Sequence, residues 1–543
     1  MLIAQQFEWG QAFGGNQNDN AQRISPGSAG SVFVVGNFIG PATIGGNTLQ
    51  GYGFQDVYLA RYSSNGQLDW AKAIGGTGTD QVSAIETDLE GNIWVSGRFT
   101  GSMDLDPDAG FSGLTAAPAG ALDGFFAKFN GEDGSLMEFR DITAGGTFDI
   151  RSIKIDPTDG AFFIGGQYAN TVDFDFGPFA QSRTSFVTSG DCFVAKYDAN
   201  LSFGWVNTFG SVNPAIDFVS AIGLSTDGAV YCTGLLGGTT DIDPSLGTSN
   251  LTCATDAFLI RYLKTTGALS WGFNLGGNSI ELGTALLVNP DNEIVLTGTM
   301  NSPSFDADPG FSTTTIASNG ISSVPFLLRY GSNGSLLGNY VVEGLTGLSA
   351  NINALEYTAN NDLIAAGNFT GNIKFPTDTG YFELSSGDSS DAFMAFFNSA
   401  FILSDLNIVG GSNNQTANDI RLIGSIVHLA GQLDGTTNPG GGALNPIIPG
   451  SSGNEGYIFQ YNLNPTVISN DLSEGVLIYP NPAIDWILIE AVGFQSVDCF
   501  DMQGRLVLKS TSNKLFVADS KKGIYLLKVN TGEASVFRKI VIQ

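Results

Sequence analysis

The sequence predicts an all-β chain in two parts, and three observations carry that prediction. A glycine follows a short hydrophobic run seven times, at Gly36, Gly97, Gly166, Gly234, Gly298, Gly367 and Gly431, with spacings of 61, 69, 68, 64, 69 and 64 residues. Inside each interval, apolar runs of about four to eight residues alternate with Gly, Asn, Asp and Ser turns, which is strand spacing rather than helix spacing. The repeat then stops near residue 462, and the remaining residues follow a different grammar.

The second copy shows the elements in order. Leu68–Ile74 alternates and ends at Gly75-Gly76, and Val82–Asp88 is a second run closed by Leu89-Glu-Gly-Asn92. Ile93-Trp-Val-Ser-Gly97 continues into Phe99, and after a longer segment comes Asp123-Gly-Phe-Phe-Ala-Lys-Phe129. A period of this size marks a repeat array, and about four strands per unit is the content of one β-propeller blade. Trp9, Trp70, Trp205 and Trp271 fall at one repeat position, with Phe139, Tyr340 and Leu406 expected to take it elsewhere. The last strand opens on an acid (Asp56, Asp123, Asp191, Asp256, Asp391, with Glu455 in its place), read as a turn or interblade anchor. The lone strand Phe7–Phe13 precedes the array, and Glu455–Tyr461 ends it without a partner strand. Seven four-stranded blades are therefore expected, closed by the N-terminal strand, which hides the sheet edges.

The W-x-x-x-x-G-G strand, the hairpin Asp88–Gly97 and the D-x-F-x-A-[KR]-[YF] strand resemble the SBBP family of bacterial propeller repeats over roughly residues 7–462. Departures are Val324 in place of the strand-leading Asp, and single glycines at Gly210 and Gly344. Ahead of the array, residues 1–6 read as a remnant of a signal peptide, with cleavage after Ala4. Residues 463–475 read as a linker, and 476–543 as a small Ig-like β-sandwich of short alternating strands.

Within that last segment, Tyr479-Pro480-Asn481-Pro482, the Asp501-x-x-Gly504-Arg505 turn, Gly523-Ile-Tyr525 and the terminal Lys539-Ile-Val-Ile-Gln543 resemble the type A C-terminal sorting domain of the type IX secretion system of Bacteroidota. The resemblance implies passage through the periplasm and the outer membrane, contact with the type IX machinery through residues 476–543, and secretion or attachment to the cell surface.

Charge separates the two parts. The chain carries 23 Lys and Arg against 52 Asp and Glu. Residues 465–543 hold eight of each sign, so the whole net charge of −29 lies in the array. Such a surface repels nucleic acid, which needs clustered Lys and Arg. No apolar run is long enough for a transmembrane helix.

Chemistry is sparse. The single histidine, His428, lies in the apolar run Ile426–Ala430 and reads as a strand residue with a satisfied hydrogen bond, which disfavours His-based catalysis. Cys192, Cys232, Cys253 and Cys499 show no C-x-x-C spacing and read as small apolar core residues, Cys232–Cys253 being the one pairing to test. Asp-x-Asp pairs recur after the glycine strand: Asp104 and Asp106 with Asp108, Asp173 and Asp175, Asp241 and Asp243, Asp306 and Asp308. Alternate carboxylates are candidate Ca2+ ligands, because calcium takes about six to eight hard oxygens. The plainer alternative is that they cap turn amides. The expected function is that of a secreted or surface binding or adhesion protein for an extracellular glycan or protein. Its contacts are expected on the face of the loops 101–122, 170–190, 238–254, 302–322 and 435–454. A carbohydrate-active enzyme with paired carboxylates and a structural envelope or matrix module are the alternatives.

Overall fold

Short runs rich in Val, Ile, Phe and Tyr cannot bury themselves alone and must pair with neighbours. In this computed structural model they do so as antiparallel strands, with one 3-10 turn at Ser28–Gly30 and no α-helix among the described residues. The structure describes residues 6–542 apart from 109–111, 117–121, 143–146, 213–215, 309–312, 319–322, 345–348, 379, 412, 440–452, 464–476, 480–485, 492, 502–504, 518–520 and 532–534. The chain divides into two units, one chiefly Phe7–Pro439 with Ile447–Asn462, the other chiefly Leu463–Gln543.

The larger unit is a propeller-like array of small antiparallel sheets. Seven four-stranded meanders run through its described residues, the first being Asn20–Pro26, Val32–Phe38, Asp56–Tyr62 and Leu68–Gly76. The last consists of Gln415–Ile423, Ile426–Asp434 and Asn454–Asn462, with Gln6–Phe13 from the start of the chain as its fourth strand. First strands of successive meanders pack side by side, and Gln415–Ile423 packs in turn on Asn20–Pro26. At that junction the Ile24 amide donates to Asp419 Oδ2 (3.0 Å) and Asn418 Nδ2 donates to the Ala21 carbonyl (2.9 Å).

The seven glycines have a shared cause. Each first strand carries a one-residue bulge, at Gln22, Ser83, Arg151, Ser220, Thr284, Asn353 and Asn418, next to the rung that holds the glycine of the second strand. A Cβ at any of the seven would stand 1.9–2.1 Å from a first-strand carbonyl oxygen, that of Asn20 for Gly36 and of Gln81 for Gly97. Glycine is required by close approach of two backbones.

Buried acids tie the strand ends together. Asp56 opens a third strand, and its Oδ2 accepts the amides of Tyr52 and Gly53; Asp191 does the same for Phe186. These carboxyls pack on glycines of the fourth strands, Asp56 on Gly75 and Asp191 on Gly210. A second set, not anticipated from the sequence, precedes the first strands. Asp217 accepts the amides of Ser211 and Gly237, Glu281 those of Gly277 and Ser302, and Asp19 those of Gly15 and Ile39. Asp80 accepts the Gly76 amide (2.6 Å). The spacing G-G-x-x-x-[DE], seen at Gly14-Gly15, Gly75-Gly76 and Gly276-Gly277, was a usable signal for it.

The tryptophans join neighbouring sheets. Nε1 of Trp9, Trp70, Trp205 and Trp271 donates to the carbonyls of Ser64, Gly131, Lys264 and Ser332, each in a turn of the next meander. The expected equivalence of Phe139, Tyr340 and Leu406 is corrected by the ladders. Trp70, Trp205 and Trp271 stand opposite Arg61, Lys196 and Arg261, whereas Lys128, Arg329 and Phe396 face Glu138, Gly338 and Asp405. Phe139 and Leu406 lie one residue further on, which turns them to the other strand face, and Tyr340 lies two residues further on, opposite Leu327.

All four cysteines are free and buried; Cys232 pairs with Ile260 and Cys253 with Gly238, rungs apart in one hairpin. His428 is buried, and its Nε2 bonds Gln460 Oε1 (2.9 Å); desolvation lowers its pKa to about 4. In the smaller unit, two antiparallel sheets of three and four strands share a core that includes Ile487, Val497, Leu515, Leu527 and Ile540.

Candidate functional site

The first strands line a cavity of about 570 Å³, and all seven bulge side chains lie on it. A bulge re-aims its extra residue, and here the seven extra residues converge on one space. Several of them also link one strand to the next. Ser83 Oγ donates to Asp149 Oδ1 (2.9 Å), Thr284 Oγ1 to the Ile352 carbonyl (2.9 Å), and Asn353 Nδ2 to the Ala417 carbonyl (2.8 Å). The bulges fall 13 to 15 residues before the ruler glycines, so a signal for them existed once the glycines were aligned.

The lining is polar and cationic, with the amides of Asn20, Asn37, Gln55 and Gln81 beside three arginines and one carboxylate. Arg151 Nε contacts Asp149 Oδ2 at 3.0 Å, its Nη2 donates to Gln167 Oε1, and its guanidinium lies 3.9 Å from the Phe218 ring centroid. Arg98 donates from Nε to Gln81 Oε1 (2.9 Å) and lies 3.9 Å from Asp149. Arg23 makes no ion pair among the described residues, and its Nη1 donates to the neighbouring Gln22 carbonyl. Desolvation lowers the Arg23 pKa, with Arg421 acting the same way and Asp419 opposing. Asp149, the one carboxylate, is held by Arg151 and Ser83, so no second acid faces it across the cavity.

A second cavity of about 340 Å³ lies toward the other ends of the same strands. Arg23 and Arg151 line this cavity as well, with Glu356 and two ion pairs, Lys154 with Glu86 (3.2 Å) and Arg421 with Asp419 (2.9 Å).

The larger cavity sits where the first strands begin and the second strands end, on the face of the long connections. The described residues of 101–122, 170–190, 238–254 and 302–322 are not part of its lining. They form hairpins such as Ser102–Asp104 with Gly113–Thr115, which pairs through Met103 and Asp104 with the fourth strand of the preceding meander. The loop 435–454 lies largely outside the described residues.

The Asp-x-Asp pairs occupy the hairpin tips and share one pattern. Oδ1 of Asp104, Asp173, Asp241 and Asp306 each accepts the amides two and eight residues on. Asp106, Asp175 and Asp243 accept the amides of Asp108, Gly177 and Ser245. The carbonyl between the two acids receives a tyrosine hydroxyl from the returning strand, Tyr197 to Phe174, Tyr262 to Ile242 and Tyr330 to Ala307. Asp108 also pairs with Lys72 (2.5 Å). Among the described residues no three His, Cys, Asp or Glu side chains gather as a metal set. Seven of these carboxylates, on Asp104, Asp106, Asp173, Asp175, Asp241, Asp243 and Asp306, cap turn amides.

In the smaller unit Tyr479 ends the strand Leu477–Tyr479, while Pro480, Asn481, Pro482 and Gly504 lie outside the described residues. Arg505 closes a turn on Asp501 through its amide (2.9 Å) and its Nε (2.8 Å). Gly523 opens a strand opposite Ile542, Lys539 pairs with Leu526, and Tyr525 donates its hydroxyl to the Lys521 carbonyl.

Residues 477–543 match the family described as secretion system C-terminal sorting domain. The chain is therefore an exported protein, secreted or held at the cell surface, and its sorting domain implies contact with the type IX machinery. No helix among the described residues is long and apolar enough to cross a membrane. An uncharacterized WD repeat-containing protein of Acanthamoeba polyphaga mimivirus is 21% identical over 377 residues, 59% of this chain and 26% of its own length. The chain thus spans about a quarter of the curated relative that it matches. Among solved structures, a protein of unknown function from Dyadobacter fermentans is 9% identical and covers 84% of this chain and 99% of its own, with TM-score 0.34. An ulvan lyase, a polysaccharide lyase, is 12% identical and covers 78% and 93%, with TM-score 0.39. A quinohemoprotein alcohol dehydrogenase from Pseudomonas putida is 10% identical and covers 88% and 79%, with TM-score 0.34.

Proposed function

We propose that residues 7–462 are a closed seven-bladed propeller of SBBP-like repeats that acts as an extracellular binding protein, holding a glycan or protein ligand in the ring cavity. The proposed domain division is the propeller at 7–462, a linker at 463–475, and a secretion and sorting domain at 476–543. The observation that carries the binding reading is the convergence of seven polar or charged bulge residues on one space of about 570 Å³, within the ~300–1,000 Å³ of small-ligand sites. The tied Asp149 favours binding over carboxylate-pair chemistry, which needs two acids roughly 5–10 Å apart across a pocket.

Two experiments test this. On a glycan array probed with the full chain, Ser220→Trp, which fills the cavity from a bulge position, is expected to abolish the signals; retention of them would move the site elsewhere. Closure is tested by replacing the Trp9 side chain with Ala. Loss of its contacts with Ser64 and Gly66 should lower the melting temperature as much as Trp271→Ala does, whereas an unaffected melt would sink the closed ring.

A further inference from the structure

Resting on that reading of the ring cavity, we propose that it selects an acidic saccharide, a sugar unit bearing a carboxylate or sulfate, with Arg23 as the residue that meets the charge. Residues 1–464 carry 15 basic against 44 acidic residues, yet the cavity lining reverses that balance with three guanidinium groups and one carboxylate. A cationic concavity inside an anionic shell focuses the field on anions. Asp149 already serves Arg151 at 3.0 Å and Ser83 at 2.9 Å, and Asp419, the acid that acts on Arg23, is paired with Arg421 at 2.9 Å, so Arg23 has no ion pair of its own among the described residues. Arg23 lies among neighbours that desolvate it, and a desolvated guanidinium without a direct ion pair gains more from an incoming oxyanion than a solvated one.

The rest of the lining fits a sugar better than a bare anion. The side chains of Gln22 and Ser220 make no hydrogen bond among the described residues and face the cavity with Thr284 and Asn418. Such donors and acceptors suit hydroxyl groups. Next in sequence to the lining Gln55, the ring of Phe54 is 77% exposed, an apolar surface available to an adjoining sugar ring.

Calorimetry on the full chain tests this with an oligogalacturonate, a sulfated galactan oligomer, the neutral counterpart of each, and sodium sulfate alone. At least one acidic oligomer is expected to bind tenfold or more tightly than its neutral counterpart. Arg23→Met should weaken that binding roughly 10- to 100-fold while leaving neutral binding unchanged, and Arg23→Lys should restore part of it. Equal affinity for neutral and acidic oligomers would overturn the charge selectivity and leave the binding reading standing. Binding of no saccharide at all would overturn both. Sulfate binding as tightly as the oligomers would overturn the sugar assignment. Should Arg23→Met melt early, Arg98→Gln is the second variant, expected to weaken acidic binding several-fold; no change in either variant would overturn the proposal.

Discussion

At the scale of single residues, the glycines divide by what a methyl group would meet. At Gly36 a Cβ would stand 1.9 Å from the Asn20 carbonyl oxygen and 2.6 Å from the Tyr58 hydroxyl, in a fully buried strand. At Gly91, φ is +84° and nothing lies within 4 Å. Gly36→Ala and Gly97→Ala should therefore cost about 3 kcal/mol or more, the upper end of overpacking penalties. Gly91→Ala should cost only the left-handed backbone strain, about 1 kcal/mol. Urea unfolding of the three variants checks the ranking, and a Gly36→Ala protein as stable as Gly91→Ala would refute the close-approach account. The glycines were legible in the sequence because backbone contact tolerates no other residue. The bulge residues behind them were not, since Gln22, Ser83 and Arg151 share polarity and position but no identity. A cavity fixes where its lining points far more tightly than which side chain it uses.

At the scale of elements, the joint between neighbouring sheets exists in two forms. Where the fourth strand supplies Trp9, Trp70 or Trp205, the next turn supplies a left-handed glycine, Gly66, Gly134 or Gly267, within 2.5–2.8 Å of the indole if a Cβ were added. Where Gly338 takes the tryptophan position, Phe401 stands in the next turn at φ +65°, its ring 3.4 Å from a Cβ on Gly338. The bulk has crossed the joint. Gly338→Trp alone should clash and destabilise by about 2 kcal/mol, and Phe401→Gly alone should leave a cavity costing about 3 kcal/mol. Together they rebuild the other form of the joint, so a double-mutant cycle should show at least ~1 kcal/mol of favourable coupling; additive losses would refute the exchange. This compensation also explains why strands were readable in the sequence while their registers were not. Alternation names a strand, but a one-residue slip in aligning Phe139 and Leu406 put them on the wrong face, and Tyr340 lies two residues past the position that Gly338 takes. The long connections were read as ligand loops from their variability; in the structure their paired Asp residues cap hairpin turns, and the described residues of 101–122, 170–190, 238–254 and 302–322 do not line the cavity.

At the scale of the whole molecule, the buried acids that knit strand ends set how stability responds to pH. Burial raises Asp80 to about 7 and Asp19, Asp191, Asp217 and Asp391 to about 6, from 3.8, against the backbone amides that hold them down. A carboxyl with a raised folded pKa binds more protons folded than unfolded between the two values, so stability falls as pH rises through that window. Its contribution is therefore greatest below about pH 4 and lost by about pH 7. His428 acts oppositely: its pKa of about 4 means that stability is lost as pH falls from 6.5 toward 4. Five acids against one histidine predict a melting temperature that climbs from pH 8 to pH 5. Relief of self-repulsion in a chain of net charge −29 would act in the same direction. Salt separates the two causes: at about 1 M the Debye length is ~3 Å and surface repulsion is screened, whereas buried groups are screened much less. The climb should persist in 1 M NaCl and shrink in Asp80→Asn, which keeps an acceptor for the Gly76 amide but has no proton to gain. A melting temperature that is flat in high salt would assign the effect to the surface and reject the buried acids as its source.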